Sequence, residues 1–393
     1  MRDSPETISG QAMWPIKNNY KHMKFIFIVQ GEGRGHMTQA IAFSHMLQNQ
    51  GHELTGVIIG KSKRRAIPEF LAREISAPIH LVESPNFACD KDEKQILIGK
   101  TIRQNIAKAA IFWRSLKQIH EVVEPKQPDI ILNFYDLLGG LYNGVFRPKA
   151  QYWVIGHQYL IYHPEFKFAP SKGLNKFFFK FNTRLTALGA SEKLALSFYE
   201  LESTNEITVV PPLLRDEVKK LTPTPCDFFL TYMVNAGYGH EVISFAKANP
   251  NLKIRAYWDK KEAAETEQPL PNLSFHRVDD KNFLRDMAAC KGLVSTAGFE
   301  SICEAMYLGK PVMVIPVKGQ YEQACNALDT IHAGAGIASD NFDFSKLEHT
   351  IRSREISENT FQDWVSTWPK TFSQILPETK MTEPDFILTR KYI

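Results

Sequence analysis

The sequence predicts an α/β protein built from two doubly wound parallel sheets, one in each half of the chain. Short apolar runs alternate with helix-like stretches, a pattern typical of βαβ units whose sheets are covered on both faces. The 393 residues are too many for one ordinary domain and suffice for two. Between the halves, Pro211, Pro212, Pro223 and Pro225 interrupt helices and strands alike. We therefore expect two domains that face each other across a cleft.

The divisions of the chain follow from this pattern. Residues 1–22 form an N-terminal extension, expected to be flexible, that lacks the apolar centre of a signal peptide. The first domain is predicted at 23–210, a linker at 211–225, a second domain with a smaller sheet at 226–345, and a helical tail at 346–393. Strands are predicted at 24–30, 54–60, 78–82, 129–134, 151–156, 194–198, 227–233, 252–257, 273–276, 291–295 and 312–315, and first-half helices at 36–50 and 100–124.

Composition and charge exclude several classes of protein. Hydrophobic residues make up 44% of the chain and charged residues 23%, as in an ordinary globular protein. No apolar run reaches the length of about 18 residues that a membrane-spanning helix needs. Five cysteines without a Cys-x-x-Cys pair indicate neither a disulfide framework nor a zinc site, and favour a cytoplasmic location. A net charge of +4 is too small to indicate nucleic-acid binding.

A glycine-rich turn follows the first predicted strand. Gly31, Gly33 and Gly35 let the backbone approach a ligand, and the helix behind them offers free N–H groups to an anion or oxyanion. His36 opens this helix, where the N–H groups disfavour imidazolium, so a neutral ring could accept a proton. A plain turn and a packing histidine are the alternatives. The spacing differs from the Gly-x-Gly-x-x-Gly pattern of nicotinamide-binding proteins.

A carboxylate is expected beside this histidine. Asp136 follows the strand at 129–134, so it should lie just past the strand's carboxyl end, in the same crevice as His36. It could orient the ring and stabilise its charge, as carboxylates do for other histidine bases. A solvated loop aspartate is the alternative. His157, at the end of the strand at 151–156, is the next candidate base.

The most specific pattern lies between residues 293 and 327. A predicted strand ends at Thr296, Gly298 permits a tight turn, and a helix follows whose N-terminus could hold a diphosphate. Ser301 and Glu304 are one helical turn apart, which places a hydroxyl for phosphate and a carboxylate for ribose on one face. A capping box, with serine at the helix start and glutamate three positions later, explains the same pair.

This run resembles the donor-binding signature of inverting GT-B glycosyltransferases. The families concerned are the UDP-glycosyltransferase superfamily and the MurG-like bacterial enzymes that add N-acetylglucosamine to the lipid-linked cell-wall precursor. Their pattern is His-x-Gly-x-x-Ser-x-x-Glu, then Gly-x-Pro, Pro, an acidic residue with Gln, and Asn-Ala. Thr296 stands at the histidine position. The other positions are matched by Gly298, Ser301, Glu304, Gly309, Pro311, Pro316, Glu322, Gln323, Asn326 and Ala327.

The resemblance implies a GT-B fold of two Rossmann-like domains that binds its acceptor in the first domain and its donor in the second. The donor would be a nucleoside-diphosphate sugar, with UDP expected. Its diphosphate is expected at Gly298 and Ser301, its ribose at Glu304, and its sugar at Glu322 and Gln323. The tail would cross back to the first domain.

The reaction that the resemblance implies is inversion at the anomeric carbon. His36 would deprotonate an acceptor hydroxyl, which attacks while the nucleoside diphosphate leaves, stabilised by the helix dipole and hydroxyl donors in place of a metal. No cofactor is expected. A sugar-nucleotide 2-epimerase or hydrolase of the same fold is one alternative. A nucleotide-sugar-binding subunit without chemistry is another, and Thr296 at the histidine position is the argument for it.

The stretch 163–184 combines basic and aromatic residues. No acidic residue lies between Glu165 and Glu192. Such a surface could contact anionic headgroups or a lipid-linked acceptor at the inner face of a membrane. Phenylalanines packed in the core, with lysines solvated around them, are the alternative. The residues concerned are Phe166, Lys167, Phe168, Lys172, Lys176, Phe177, Phe178, Phe179, Lys180, Phe181 and Arg184.

Overall fold

The computed structural model contains two seven-stranded sheets, one formed by each half of the chain. The predicted extension 1–22 lies outside the described residues apart from His22, as does the end of the tail from residue 378. The structure describes residues 22–61, 69–85, 103, 107–170, 173–224, 226–233, 236–258, 264–353 and 360–377. No helix among them is long and apolar enough to cross a bilayer.

The first sheet is entirely parallel, in the order β3-β2-β1-β4-β5-β6-β7. Its strands are β1 (Lys24–Gln30), β2 (Glu53–Lys61), β3 (Ile79–Glu83), β4 (Ile130–Phe134), β5 (Gln151–Gly156), β6 (Glu192–Leu196) and β7 (Thr208–Val210). Its helices are α1 (Arg34–Asn49), α2 (Glu69–Glu74), α3 (Ala109–Val123), α4 (Leu137–Phe146) and α5 (Leu174–Thr186). The strand order reverses between β1 and β4, which opens a crevice outside their carboxyl ends.

The second sheet has the order β10-β11-β9-β8-β12-β13-β14, and only β10 is antiparallel to its neighbour. Its strands are β8 (Phe229–Met233), β9 (Ile254–Trp258), β10 (Thr266–Leu270), β11 (Leu273–Arg277), β12 (Gly292–Thr296), β13 (Val312–Ile315) and β14 (Gly336–Ala338). The remaining helices are α6 (Asp216–Lys219), α7 (Gly239–Ala248), α8 (Asp280–Ala289), α9 (Phe299–Tyr307), α10 (Tyr321–His332), α11 (Phe344–Ser353), α12 (Thr360–Ser366) and α13 (Trp368–Ile375). Here the strand order reverses between β8 and β12, which opens a second crevice.

The predicted fold class is confirmed, but the prediction of a smaller second sheet is wrong because both sheets have seven strands. The sequence did not reveal β7, β10 and β14. β7 and β14 are three residues long, and β10 is a polar edge strand that contains Pro269. The segment predicted as an irregular linker contains the one-turn helix α6. The first predicted helix begins at Arg34 rather than at residue 36.

The last helices pack against the first sheet. The ring of Phe372 lies 5.3 Å from that of Phe43 and 6.3 Å from that of Phe25. Trp368 also contacts Phe43, at 5.9 Å, and its indole N–H donates to the carbonyl of Pro212 at 3.1 Å. The chain therefore returns to its first half after completing the second sheet.

Candidate active site

The two crevices meet where α1 approaches α9. The Gln39 amide of α1 donates to Glu300 Oε2 of α9 at 3.1 Å. A Cβ added at Gly35 would lie 3.4 Å from the Cβ of Glu300, so a larger residue at this glycine would press on α9. Of the three turn glycines, Gly35 therefore lies against the first turn of α9, whereas Gly31 packs on β2 and Gly33 has, among the described residues, no neighbour within 4 Å of its Cβ position.

His36 lies in the first turn of α1, after the N-cap residue Gly33. Its ring stacks on Tyr135, with centroids 5.9 Å apart and planes 22° apart. Nδ1 is buried without a hydrogen-bond partner. Burial lowers the pKa of His36 to about 4, although a hydrogen bond with Gln39 opposes the shift. The ring is therefore neutral at neutral pH and can accept a proton.

Asp136 caps α4 instead of contacting His36. Its Oδ1 accepts from the N–H of Leu138 at 2.8 Å and from the hydroxyl of Ser84 at 3.2 Å. Oδ2 is buried without a partner. Burial raises the pKa of Asp136 to about 6, and the hydrogen bonds to its carboxylate limit the increase. The expected hydrogen bond to His36 is not formed, because the carboxylate turns towards α4 and Tyr135 lies against the histidine ring.

Tyr135 holds an unusual backbone conformation, with φ of 60°. L-residues avoid this left-handed region, which persists where the surrounding structure fixes it and is often found at functional sites. The side chain is buried, and its hydroxyl lies 2.7 Å from Oγ1 of Thr183. The turn after β4 therefore places the aromatic ring of Tyr135 against the ring of His36.

The turn after β12 leaves the start of α9 without a side-chain cap. Gly298 is the N-cap residue, and Asn326 stabilises the turn by donating to the carbonyl of Ala297 at 2.9 Å. Thr296 is buried, and its hydroxyl has no hydrogen-bond partner. Ser301 lies inside the helix with its hydroxyl 3.5 Å from the carbonyl of Gly298, so the capping-box interpretation is wrong. The free N–H groups of the first turn can bind an anion.

Glu304 is buried and forms an ion pair with Arg215. Nε and Nη2 of the arginine donate to Glu304 Oε1 at 2.8 and 2.5 Å. Burial raises the pKa of Glu304, whereas the charge of Arg215 lowers it and favours the carboxylate. Arg215 comes from the proline-rich segment between the sheets. Arg215 therefore holds the Glu304 carboxylate through Oε1 and does not bind Oε2.

Glu322 and Gln323 have different surroundings. The Gln158 amide, from the first half, donates to Glu322 Oε1 at 2.9 Å. Burial raises the pKa of Glu322 to about 7, and this hydrogen bond opposes the shift. Gln323 instead accepts from the N–H of Val317 at 2.9 Å, which holds the loop after β13. Glu322 therefore lies where the two halves meet, and Gln323 supports a neighbouring loop.

His157, the second candidate base, joins the two halves. Its Nδ1 donates to the carbonyl of Leu196 at 2.8 Å, and its Nε2 lies 3.3 Å from Asp329 Oδ2 on α10. The ring stacks on Phe299 at 4.3 Å. Burial lowers the pKa of His157, whereas Asp329 raises it. Nδ1 is thus engaged by Leu196, and Nε2 faces the Asp329 carboxylate without a hydrogen bond, so His36, which no carboxylate in the described part of the chain faces in this way, is the better candidate base.

Sequence reasoning missed several residues of this site. Gln39 lies one helical turn after His36, so that spacing could have revealed it. Gln158 and Arg215 carry no local pattern, because their partners lie far away in the sequence.

Comparisons with known proteins agree with this geometry. The chain matches the model of glycosyl transferase family 1 over residues 23–354. It is 22% identical over 340 residues to an uncharacterized glycosyltransferase of Methanosarcina acetivorans, a match that covers 80% of this chain and 85% of the relative.

Solved glycosyltransferases share the fold at low sequence identity. Arabidopsis thaliana UGT89C1 complexed with quercetin gives a TM-score of 0.58 at 14% identity, covering 89% of this chain and 94% of that structure. Spinosyn rhamnosyltransferase SpnG complexed with thymidine diphosphate gives 0.56 at 14% identity, covering 90% and 96%. The chain therefore belongs to glycosyl transferase family 1 and is a glycosyltransferase with the GT-B fold.

Proposed function

We propose that the protein transfers a sugar from a nucleoside-diphosphate sugar, with UDP the expected nucleotide, to an acceptor hydroxyl with inversion and without a metal ion. The observation that carries this proposal is the contact between Gln39 and Glu300. It brings the helix that holds a neutral histidine against the helix with an uncapped N-terminus. A base and an anion site thus belong to the same cleft.

The donor side is proposed at the turn after β12. The first N–H groups of α9 and the hydroxyl of Thr296 would bind the diphosphate, and Ser301 would supply a further hydroxyl. Glu304, positioned by Arg215, would accept hydrogen bonds from the ribose through Oε2. As the glycosidic bond breaks, the helix N-terminus stabilises the negative charge on the leaving diphosphate, which is work that a metal ion performs in other enzymes.

The acceptor side is proposed at the turns after β1 and β4. Neutral His36 would take the proton of the acceptor hydroxyl while its oxygen bonds to the anomeric carbon on the face opposite the leaving group. Asp136, next to Tyr135, would stabilise the imidazolium through its charge rather than through a hydrogen bond. Glu322 would contact sugar hydroxyls, and Gln323 would act through the loop after β13.

Nucleotide binding and metal dependence can be tested together by thermal denaturation with a panel of nucleoside diphosphates. A ligand that binds only the folded state at about 100 times its Kd stabilises it by about 2.7 kcal/mol, so the preferred diphosphate should raise the Tm most. We expect UDP to give the largest shift, with or without EDTA. Turnover should likewise resist EDTA. Activity that disappears with EDTA and returns with magnesium or manganese would refute the metal-free mechanism, and the absence of any Tm shift would refute the donor site.

A further inference from the structure

An exposed apolar surface covers one side of the first half. Among the described residues, eight large hydrophobic side chains are exposed, and six of them lie on or next to three neighbouring helices. Phe177 is 59% exposed and Leu174 69%. We call these six residues the apolar surface, namely Trp113, Val145, Leu174, Phe177, Phe181 and Leu188.

The apolar surface is continuous. Leu174, Phe177 and Phe181 follow one another at helical spacing on α5, and the rings of the two phenylalanines stack at 6.0 Å. Leu188, just after α5, lies so close to α4 that a Cβ added at Gly144 would come within 2.4 Å of it.

The surface continues across α4 to α3. Val145 follows Gly144, and the next residue, Phe146, stacks on Trp113 at 6.2 Å. The helices α3, α4 and α5 pack side by side, so the six side chains form one face rather than isolated exposures.

The charges around the apolar surface are mostly positive. The helices α3, α4 and α5 carry one acidic residue, Glu121, and α4 carries no charged residue. Two further exposed cations, Arg147 and Lys149, follow α4, and one further exposed carboxylate, Glu124, follows α3. Aromatic and aliphatic groups surrounded by cations are typical of proteins that bind the interface of an anionic bilayer. The exposed basic residues on the three helices are Arg114, Lys117 and Arg184. Lys176 and Lys180 are half-buried instead, with their ammonium groups 4.0 and 5.4 Å from the ring of Phe168.

The surface differs from the stretch 163–184 that the sequence indicated. Phe166, Phe168 and Phe179 pack against the cluster of Ala169 and Tyr321 between the halves. Of the phenylalanines in that stretch, only Phe177 and Phe181 are strongly exposed, and the remaining exposed groups come from α3, α4 and the end of α5. The tertiary arrangement therefore creates a surface that no single segment contains.

The opposite face of α5 is directed to the cleft. Phe179 packs on Tyr321 of α10 at 5.8 Å, and Thr183 meets the hydroxyl of Tyr135 at 2.7 Å. Tyr135 in turn stacks on His36. One helix thus separates the apolar surface from the candidate base.

We propose that the apolar surface docks on an anionic lipid bilayer with Leu174, Phe177 and Phe181 inserted at the headgroup level. Docking would bring the acceptor side of the cleft close to the bilayer. A lipid-carried acceptor could then reach His36 from the membrane, a consequence that rests on the function proposed above. The docking itself is independent of the chemistry.

Vesicle co-sedimentation tests the docking. The full chain is mixed with vesicles of phosphatidylcholine alone or of phosphatidylcholine with phosphatidylglycerol. The double variant Phe177→Glu and Phe181→Glu is compared with Leu81→Glu and Ile331→Glu, which alters the two exposed hydrophobic residues outside the apolar surface. We expect preference for the anionic vesicles, a loss of about tenfold or more in vesicle partition for the phenylalanine variant, and little change for the control.

The Tm of each variant and its Tm shift with nucleoside diphosphate are measured as well. Both variants should keep the wild-type Tm and the Tm shift with nucleoside diphosphate, so that a failed donor site is distinguished from failed docking. Absence of binding to anionic vesicles, or equal binding by both variants, would overturn the proposal. Sedimentation velocity would overturn it as well if the wild type formed a dimer that the phenylalanine variant lost, because the surface would then bind a second copy.

Discussion

At the scale of single residues, burial sets the protonation of the site. His36 is kept neutral because its charged form would lose solvation, and Asp136 resists ionisation for the same reason. His36 is therefore in the unprotonated form that a general base needs, and Asp136, which does not contact it, ionises near neutral pH. The pKa of each group is thus determined by its position in the fold.

Asp136→Asn should change how stability depends on pH. In the folded protein the pKa of Asp136 is raised from 3.8 to about 6, which means that folding favours the protonated carboxyl group. The stabilisation that this group provides is complete below about pH 4, and it is lost as the pH rises through 6 and the carboxyl group ionises. The free energy of unfolding of the wild type should fall by roughly 3 kcal/mol more than that of Asp136→Asn between pH 4 and 7.

Urea denaturation at several pH values measures this difference. Asparagine preserves the helix cap, so Asp136→Ala provides the contrast and should cost about 1 kcal/mol more at every pH. Parallel pH profiles for the wild type and Asp136→Asn would show that the carboxyl group is more solvated than its burial indicates.

Candidate site residues were named where the signal is local. His36 follows a glycine turn and Glu304 follows Ser301 by one helical turn, so spacing alone identified them as candidates. The ion pair with Arg215 could not be predicted, because 89 residues separate the partners. The helix-capping role of Asp136 could not be distinguished from a catalytic one without the position of Tyr135.

At the scale of elements, the start of α9 is the central feature. The helix begins at Phe299, directly after its N-cap residue Gly298. Asn326 stabilises the turn before the helix by donating to the carbonyl of Ala297. Its second turn is linked to the segment between the sheets through Glu304 and Arg215. The proposed ribose ligand is thus held by a residue outside the second sheet.

Arg215→Met should destabilise the protein by about 3–5 kcal/mol, since it leaves the carboxylate of Glu304 buried without its partner. Adding Glu304→Gln should recover part of the loss, because the remaining group is then neutral. Urea denaturation of the two single variants and the double variant measures the coupling. Additive losses would mean that the ion pair does not hold the segment to α9.

The strands were predicted well where both faces are buried. β1 and β13 contain continuous apolar runs, and the run of β4 is interrupted only by Asn133, so these strands are recognisable without context. The edge strand β10 is mostly polar because it is solvated, and its assignment depends on pairing with β11. Three of the four edge strands, β7, β10 and β14, therefore escaped sequence-based prediction, whereas the fourth, β3, was predicted at 78–82.

At the scale of the whole molecule, buried polar contacts connect the two halves. The amide of Gln39 donates to Glu300, the amide of Gln158 donates to Glu322, and His157 lies 3.3 Å from Asp329. These carboxyl groups come from α9 and α10, and their partners come from the first half. These contacts are polar, so we expect the halves to open and close around a donor during turnover.

The central claim is that binding and chemistry reside in different halves, and His36→Ala tests it most directly. A general base contributes about two to four powers of ten to the rate, so turnover should fall by that amount. Calorimetry should show unchanged affinity for the nucleoside diphosphate, because that ligand is assigned to the second half. A folded variant with near-normal turnover across a range of pH would contradict the claim, and so would an equal loss of nucleotide affinity.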